Sequence, residues 1–166
     1  ELIPCETASA TLEPIPPNIH LVLDKSGSMV NYTWDHDGVA ATPEVTRWYS
    51  LYEVVESVTS GLEGQVNFGA VLFPSTDAEI VWDTGACVVE DAPDVTVGPG
   101  NSAAILGAIP DKTAVSPEIA GGTPATAGLS LAYHDLEAHG GENAPAVIFV
   151  TDGAANCGEG LTGNDI

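Results

Sequence analysis

Basic residues are almost absent from this chain. Lys25, Arg47 and Lys112 are its only lysines or arginines, against 24 aspartates and glutamates, for a formal net charge of −21 over 166 residues. Three dispersed cations cannot assemble a basic patch, which excludes nucleic acid as a partner and disfavours anionic membrane surfaces. No run of 18 consecutive apolar residues occurs, so direct membrane insertion of a helix is not expected either. Cysteine is scarce: Cys5, Cys87 and Cys157 lie far apart, without a CxxC pair. His134 and His139 are five positions apart, wrong for one helical face, so zinc is a poor fit. An odd cysteine count implies a free thiol or a partner outside this sequence. The chain opens at Glu1 without a signal-peptide pattern, as expected of a cytosolic protein or of a processed or trimmed one.

What is present is enough for a core. Hydrophobic residues make up 44% of the chain and mean hydropathy is +0.14, too apolar for a disordered polymer despite the charge. The length suits one domain. Residues 1–17, with prolines at 4, 14, 16 and 17, read as an extended lead-in to a domain over 18–166. A strand is predicted at 19–23, in which His20 reads as a core histidine, followed by a polar loop over 31–41. A helix is predicted over 42–64, opened by Thr42 as N-cap and Pro43. Val45, Trp48, Leu51, Val54 or Val55, Val58 and Leu62 form its inner stripe. Residues 65–73 form a second strand, 79–83 its hairpin partner at the sheet edge, 84–100 an irregular stretch and 101–109 a short helix. A longer helix opens at Thr123-Pro124, turns Leu129, Ala132 and Leu136 inward and stops at Gly140-Gly141. An apolar strand follows at 146–150. The alternation predicts an α/β fold with a mostly parallel sheet and an antiparallel edge strand.

Two of these strands run into aspartate: "HLVLDKSGS" reaches Asp24 and "VIFVTDG" reaches Asp152. Ligands of open α/β sheets gather at the carboxyl ends of the strands. Along an extended segment, side chains at every second position share a direction, so Asp24, Ser26 and Ser28 converge. Thr123, after Gly121 and Gly122, is the candidate N-cap of the second long helix. Two carboxylates and three hydroxyls are hard oxygen ligands that suit Mg²⁺ or Mn²⁺, with Ca²⁺ as the alternative. A site rich in neutral hydroxyls leaves the ion electrophilic, and the natural further ligand is a carboxylate from another molecule.

"DKSGS", "GGTP" and "VTDG", in this order, resemble the von Willebrand factor type A (VWA) family and its metal-ion-dependent adhesion site (MIDAS), with the pattern D-x-S-x-S, a loop threonine and a loop aspartate. The resemblance runs over residues 18–156 and assigns the metal to Asp24, Ser26, Ser28, Thr123 and Asp152. It implies a Rossmann-like, doubly wound sheet of order 3-2-1-4-5-6, here C-terminally incomplete, with the last strands missing and residues 146–150 left as an edge. It implies a secreted or cell-surface binding module, not an enzyme, whose partner is a protein offering an Asp or Glu carboxylate. The missing C-terminal segment or neighbouring domains would lie elsewhere. The same topology puts Cys5 and Cys87 on the face opposite the metal, so a Cys5–Cys87 disulfide is expected, with Cys157 bonded to the missing segment. Three reduced thiols are the alternative.

Two rival readings come from other classes. An Mg²⁺-dependent aspartyl-phosphate phosphatase also places an aspartate after its first strand, and Lys112 would serve as its lysine. It needs a second aspartate two residues later as general acid, where this chain has Ser26. A structural module that folds around its metal and binds nothing through it is the third reading. Ser130 lies inside a helical pattern, unlike a nucleophile elbow, and no P-loop lysine exists. "DHDG" at 35–38 reads as a polar turn rather than a calcium loop. Tyr32 and Trp34 either belong to a binding surface or cover the adjacent helix.

Overall fold

Parallel pairing with two neighbours buries the first apolar run. In a computed structural model that describes residues 14–80 and 85–158, β1 (Asn18–Asp24) lies between β4 (Asn67–Phe73) and β6 (Pro145–Val150), parallel to both. Before β4 come a short helix α1 (Ser28–Asn31), an antiparallel ribbon of β2 (Thr33–Trp34) with β3 (Val45–Thr46), and helix α2 (Arg47–Gly61). After β4 come β5 (Val95–Gly98), α3 (Ser102–Ala108) and α4 (Ala125–His139). The sheet order is β5-β4-β1-β6, with β5 antiparallel to β4. The chain is α/β with a four-stranded, mostly parallel sheet. Among the described residues no helix is long and apolar enough to cross a membrane.

Alternation along β1 divides the core into two layers. Leu21 and Leu23 pack with Trp48, Leu51 and Val55 of α2 and Ile105 of α3, whereas Val22 packs with Val71, Phe73 and Ala125 and Ala132 of α4. Each fully buried side chain of this size contributes about 1.5–3 kcal/mol. Trp48 is fully buried, and its indole N–H is satisfied by the carbonyl of Asp111 at 3.0 Å. His20 is buried as expected; its Nε2 lies 3.0 Å from the Asp135 carboxylate of α4. Gly128 lies where a Cβ would meet Phe73 at 3.0 Å, so α4 approaches the sheet closely through small residues. That close packing rotates Leu129 outward to 37% exposure, against the expectation that it faces the core.

Four local expectations change. Helix α2 starts at Arg47, not after Thr42: residues 45–46 are extended in the ribbon, and Thr46 supplies the cap by accepting from Tyr49 N at 3.1 Å. Both threonines can cap, and pairing with β2 decides between them. Helix α4 starts at Ala125 with Pro124 in the cap position, which leaves Thr123 in the preceding loop. The antiparallel edge strand is Val95–Gly98, within the stretch read as irregular; residues 79–80 are not strand, and 81–84 lie outside the described residues.

The cysteine pairing is the fourth. Cys87 is bonded to Cys157 with their Cα atoms 5.8 Å apart, so the expected Cys5–Cys87 bond does not form; Cys5 itself lies outside the described residues. The reason is topological. With the edge strand displaced to 95–98, Cys87 precedes it and lies over the carboxyl end of β4. There Ser75 N donates to the carbonyl of Val88, and Gly122 N donates to that of Ala86. This is the end where the chain leaves β6 toward Cys157.

Candidate metal centre

Register decides which residues meet at the sheet's carboxyl end. Asp24 pairs with Phe73 and Leu23 with Val150, so Thr151 and Asp152 leave β6 level with Asp24 and just beyond it. The Asp24 side chain is fully buried. Its Oδ1 accepts from Ser26 N and its Oδ2 from Thr151 Oγ1, each at 2.7 Å. Burial pushes the Asp24 carboxyl above the usual carboxylate range; the hydrogen bonds from Ser26 and Thr151 pull it down, and the neighbouring Asp152 charge pushes it up. A buried carboxylate with a second one beside it is short of positive charge.

Ser26 and Ser28 bridge toward the second carboxylate. Their hydroxyls lie 2.9 Å apart, and Ser28 Oγ donates to Asp152 Oδ1 at 2.8 Å. A hydroxyl has a single proton, so with Ser28 donating to Asp152, the bond between the serines runs from Ser26 to Ser28. Ser28 opens α1, so it reaches Ser26 through a turn rather than along the extended chain of the i, i+2 argument.

Thr123 enters from the opposite wall. A cavity of about 270 Å³ is lined by Ser26, Ser28, Gly121, Thr123 and Asn156. Thr123 is held by a reciprocal backbone contact: its N–H donates to Asn156 Oδ1 at 2.6 Å, and Asn156 N donates to its carbonyl at 3.3 Å. Gly121, at φ +97°, accepts from Gly27 N at 3.2 Å; a Cβ there would stand 2.7 Å from the carbonyl oxygen of Ala86. Only glycine fits that conformation and that approach together.

Lys25 alternates away from the cavity. It is fully buried and its ammonium donates to the carbonyls of Glu118 and Ala120, at 3.1 and 3.5 Å, pinning the loop that leads to Thr123. Burial lowers the Lys25 pKa, opposed by the charges of Asp94, Asp77 and Glu118.

The structure therefore gathers Asp24, Ser26, Ser28 and Asp152 in one hydrogen-bonded cluster, with Thr123 across the cavity. Three participants escaped the sequence reading. Thr151 is signalled only by a hydroxyl next to Asp152. Asn156 carries no signal before Thr123 is placed. Arg47, whose Nη1 lies 2.6 Å from Asp152 Oδ2, is one of the three cations in the chain. Trp34 covers the helix, its indole donating to Ser50 of α2 at 3.1 Å, whereas Tyr32 is 70% exposed.

The five side chains fit a hard divalent cation by their chemistry, as two carboxylates and three hydroxyls, with the Arg47 guanidinium resting on Asp152 Oδ2. Among the described residues no group of three or more His, Cys, Asp or Glu side chains is placed to hold an ion. Any metal here depends on the hydroxyls.

No family model and no curated protein sequence matches the chain. Solved structures do. A crystal structure of the pilus adhesin SpaC from Lactobacillus rhamnosus GG aligns over 87% of this chain at 23% identity and a TM-score of 0.55. The open conformation of the same adhesin aligns over 87% at 22% identity and a TM-score of 0.54. This chain spans 16% of the length of SpaC in either comparison, and the similarity is one of fold.

Proposed function

We propose that this chain is a metal-dependent binding module of the VWA type, in which Asp24, Ser26, Ser28, Thr123 and Asp152 hold Mg²⁺ or Mn²⁺ and the ion captures a carboxylate of a protein partner. The observation that carries the reading is the hydroxyl bridge: two serines link toward a carboxylate leaving one parallel strand while a second, buried carboxylate ends the neighbouring strand. Bound there, the ion would supply a Lewis-acidic position for an external oxygen. The chain's own residues orient the donors and restrain the loops around them.

On this reading the fold is the doubly wound, Rossmann-like one, its remaining strands lie beyond β6, and the module works outside the cell or at its surface. The fold-level likeness to a pilus adhesin supports an adhesive role. The partner is neutral or basic overall with a local Asp or Glu, because a charge of −21 repels acidic proteins, although the Debye length of about 8 Å at physiological salt screens most of that at long range. The phosphatase reading is disfavoured: Ser26 stands where the general acid is needed, and Lys112 is engaged with Glu53 at 2.5 Å.

Calorimetric titration of Mg²⁺ and Mn²⁺ into chelator-treated protein tests the proposal, with Asp24→Ala and Ser26→Ala alongside. Stoichiometric binding by the wild type that is lost in both variants is expected. A folded wild type that binds neither ion would sink it.

A further inference from the structure

Arg47 is the cation that reaches this site. Lys25 is fully buried with its ammonium on backbone carbonyls, and Lys112 is bonded to Glu53. Arg47 is the first residue of α2, placed there by the Thr46 cap and the ribbon before it. Its Nη1 rests on Asp152 Oδ2 at 2.6 Å, but the two side chains differ in exposure: 8% for Asp152 and 41% for Arg47. One guanidinium nitrogen is thus committed to Asp152 while the Arg47 side chain as a whole stays accessible to solvent. A guanidinium carries five N–H donors in a plane, and a single contact to Asp152 leaves a set suited to a second carboxylate.

The surroundings favour that use. Arg47 and Asp152 also line an apolar cavity of about 330 Å³, with Met29, Val54 and Val150. Apolar walls strengthen a charged hydrogen bond by excluding water. The overall charge works against the approach of a carboxylate, and Arg47 is the local group that offsets it.

We infer that Arg47 is a second attachment point for the partner's carboxylate: it sits at the rim of the metal site and selects for an acidic group by direct hydrogen bonding. This rests on the metal-and-carboxylate reading above. A plain counter-ion of Asp152 would behave differently. Removing a positive charge beside a metal-binding carboxylate leaves metal affinity equal or higher, and Arg47→Lys, which keeps the charge without the fork, would then leave acetate affinity unchanged.

Acetate serves as the probe, titrated into Mn²⁺-loaded protein while water-proton relaxation reports displacement of metal-bound water, after Mn²⁺ affinity is measured separately. In Arg47→Gln the acetate dissociation constant should rise about tenfold, as for loss of a charge-assisted hydrogen bond, with Mn²⁺ affinity undiminished. Arg47→Lys should fall between, since an ammonium keeps the charge without the fork. Acetate affinity unchanged in Arg47→Gln, with Mn²⁺ bound, overturns this inference and leaves the metal reading standing. A wild type that binds no Mn²⁺, or binds it without responding to acetate, overturns the metal-and-carboxylate reading and this inference with it.

Discussion

The hydroxyl of Thr151 donates to the carboxylate of Asp24 across two adjacent parallel strands, 2.7 Å from Oγ1 to Oδ2. The Asp24 side chain is inaccessible to solvent, so no water readily replaces that donor.

Thr151→Val should therefore cost about 1–3 kcal/mol of stability in chelator, the usual penalty for stranding a buried acceptor. On the proposed metal reading a divalent ion on Asp24 would compensate for the lost donor, so the deficit should shrink in millimolar Mg²⁺. Urea midpoints for both proteins, with and without Mg²⁺, check this. A deficit equal in both conditions would show that Asp24 and the ion do not meet.

The Cys87–Cys157 bond closes a sequence separation of 70 residues and lies next to Asn156, which holds the Thr123 loop. Replacing both cysteines by serine should lower unfolding free energy by about 2–4 kcal/mol. It should also weaken Mg²⁺ binding, because the strap over Thr123 loosens. Chemical denaturation and calorimetry read the two effects. Stability lost with metal affinity intact would sever the strap from the site.

Burial lowers the pKa of His20 from 6.5, although the Asp135 carboxylate opposes the shift. Asp135 also accepts from Val97 N at 2.8 Å and from His139 Nδ1 at 2.9 Å, and His20 Nδ1 is buried without a partner. The folded protein thus holds His20 neutral where the unfolded chain protonates it. His20 costs nothing above pH 6.5; stability is lost as pH falls from there toward the lower, folded pKa. Asp24 and Asp94, whose pKa values burial raises, act with the opposite sign. The informative quantity is therefore the difference between wild type and His20→Gln, in chelator, from pH 7.5 to 5. The variant should be less stable at neutral pH, with the gap narrowing on acidification. A constant gap would mean that His20 does not carry this dependence.

Much of the site was legible before the fold. Asp24 and Asp152 each follow an apolar strand, and strand ends collect ligands for topological reasons. Ser26 also stands beside Asp24, through its backbone N–H in the bend after the strand rather than through alternation. The start of α2 was misplaced because Thr42-Pro43 is as good a local cap as Thr46. Only the non-local pairing of β3 with β2 holds residues 45–46 extended, and that displacement brings Arg47 to the rim. The exposure of Leu129 and the edge strand at 95–98 were hidden for the same reason: small-residue packing of α4 and pairing with β4 outweigh local pattern.

Hydrophobic periodicity and the oxygen-bearing motifs are local, and they were enough to predict the α/β class and to nominate five oxygen-bearing residues near the carboxyl ends of the strands, of which Asp24, Ser26, Ser28 and Asp152 form one hydrogen-bonded cluster. Which distant groups meet there depends on register and loop closure between segments up to 127 residues apart, as for Thr151 and Asp24. The Cys87–Cys157 bond, the hold of Asn156 on Thr123 and the reach of Arg47 to Asp152 were decided by tertiary structure. No short window of sequence holds both partners of any of these contacts.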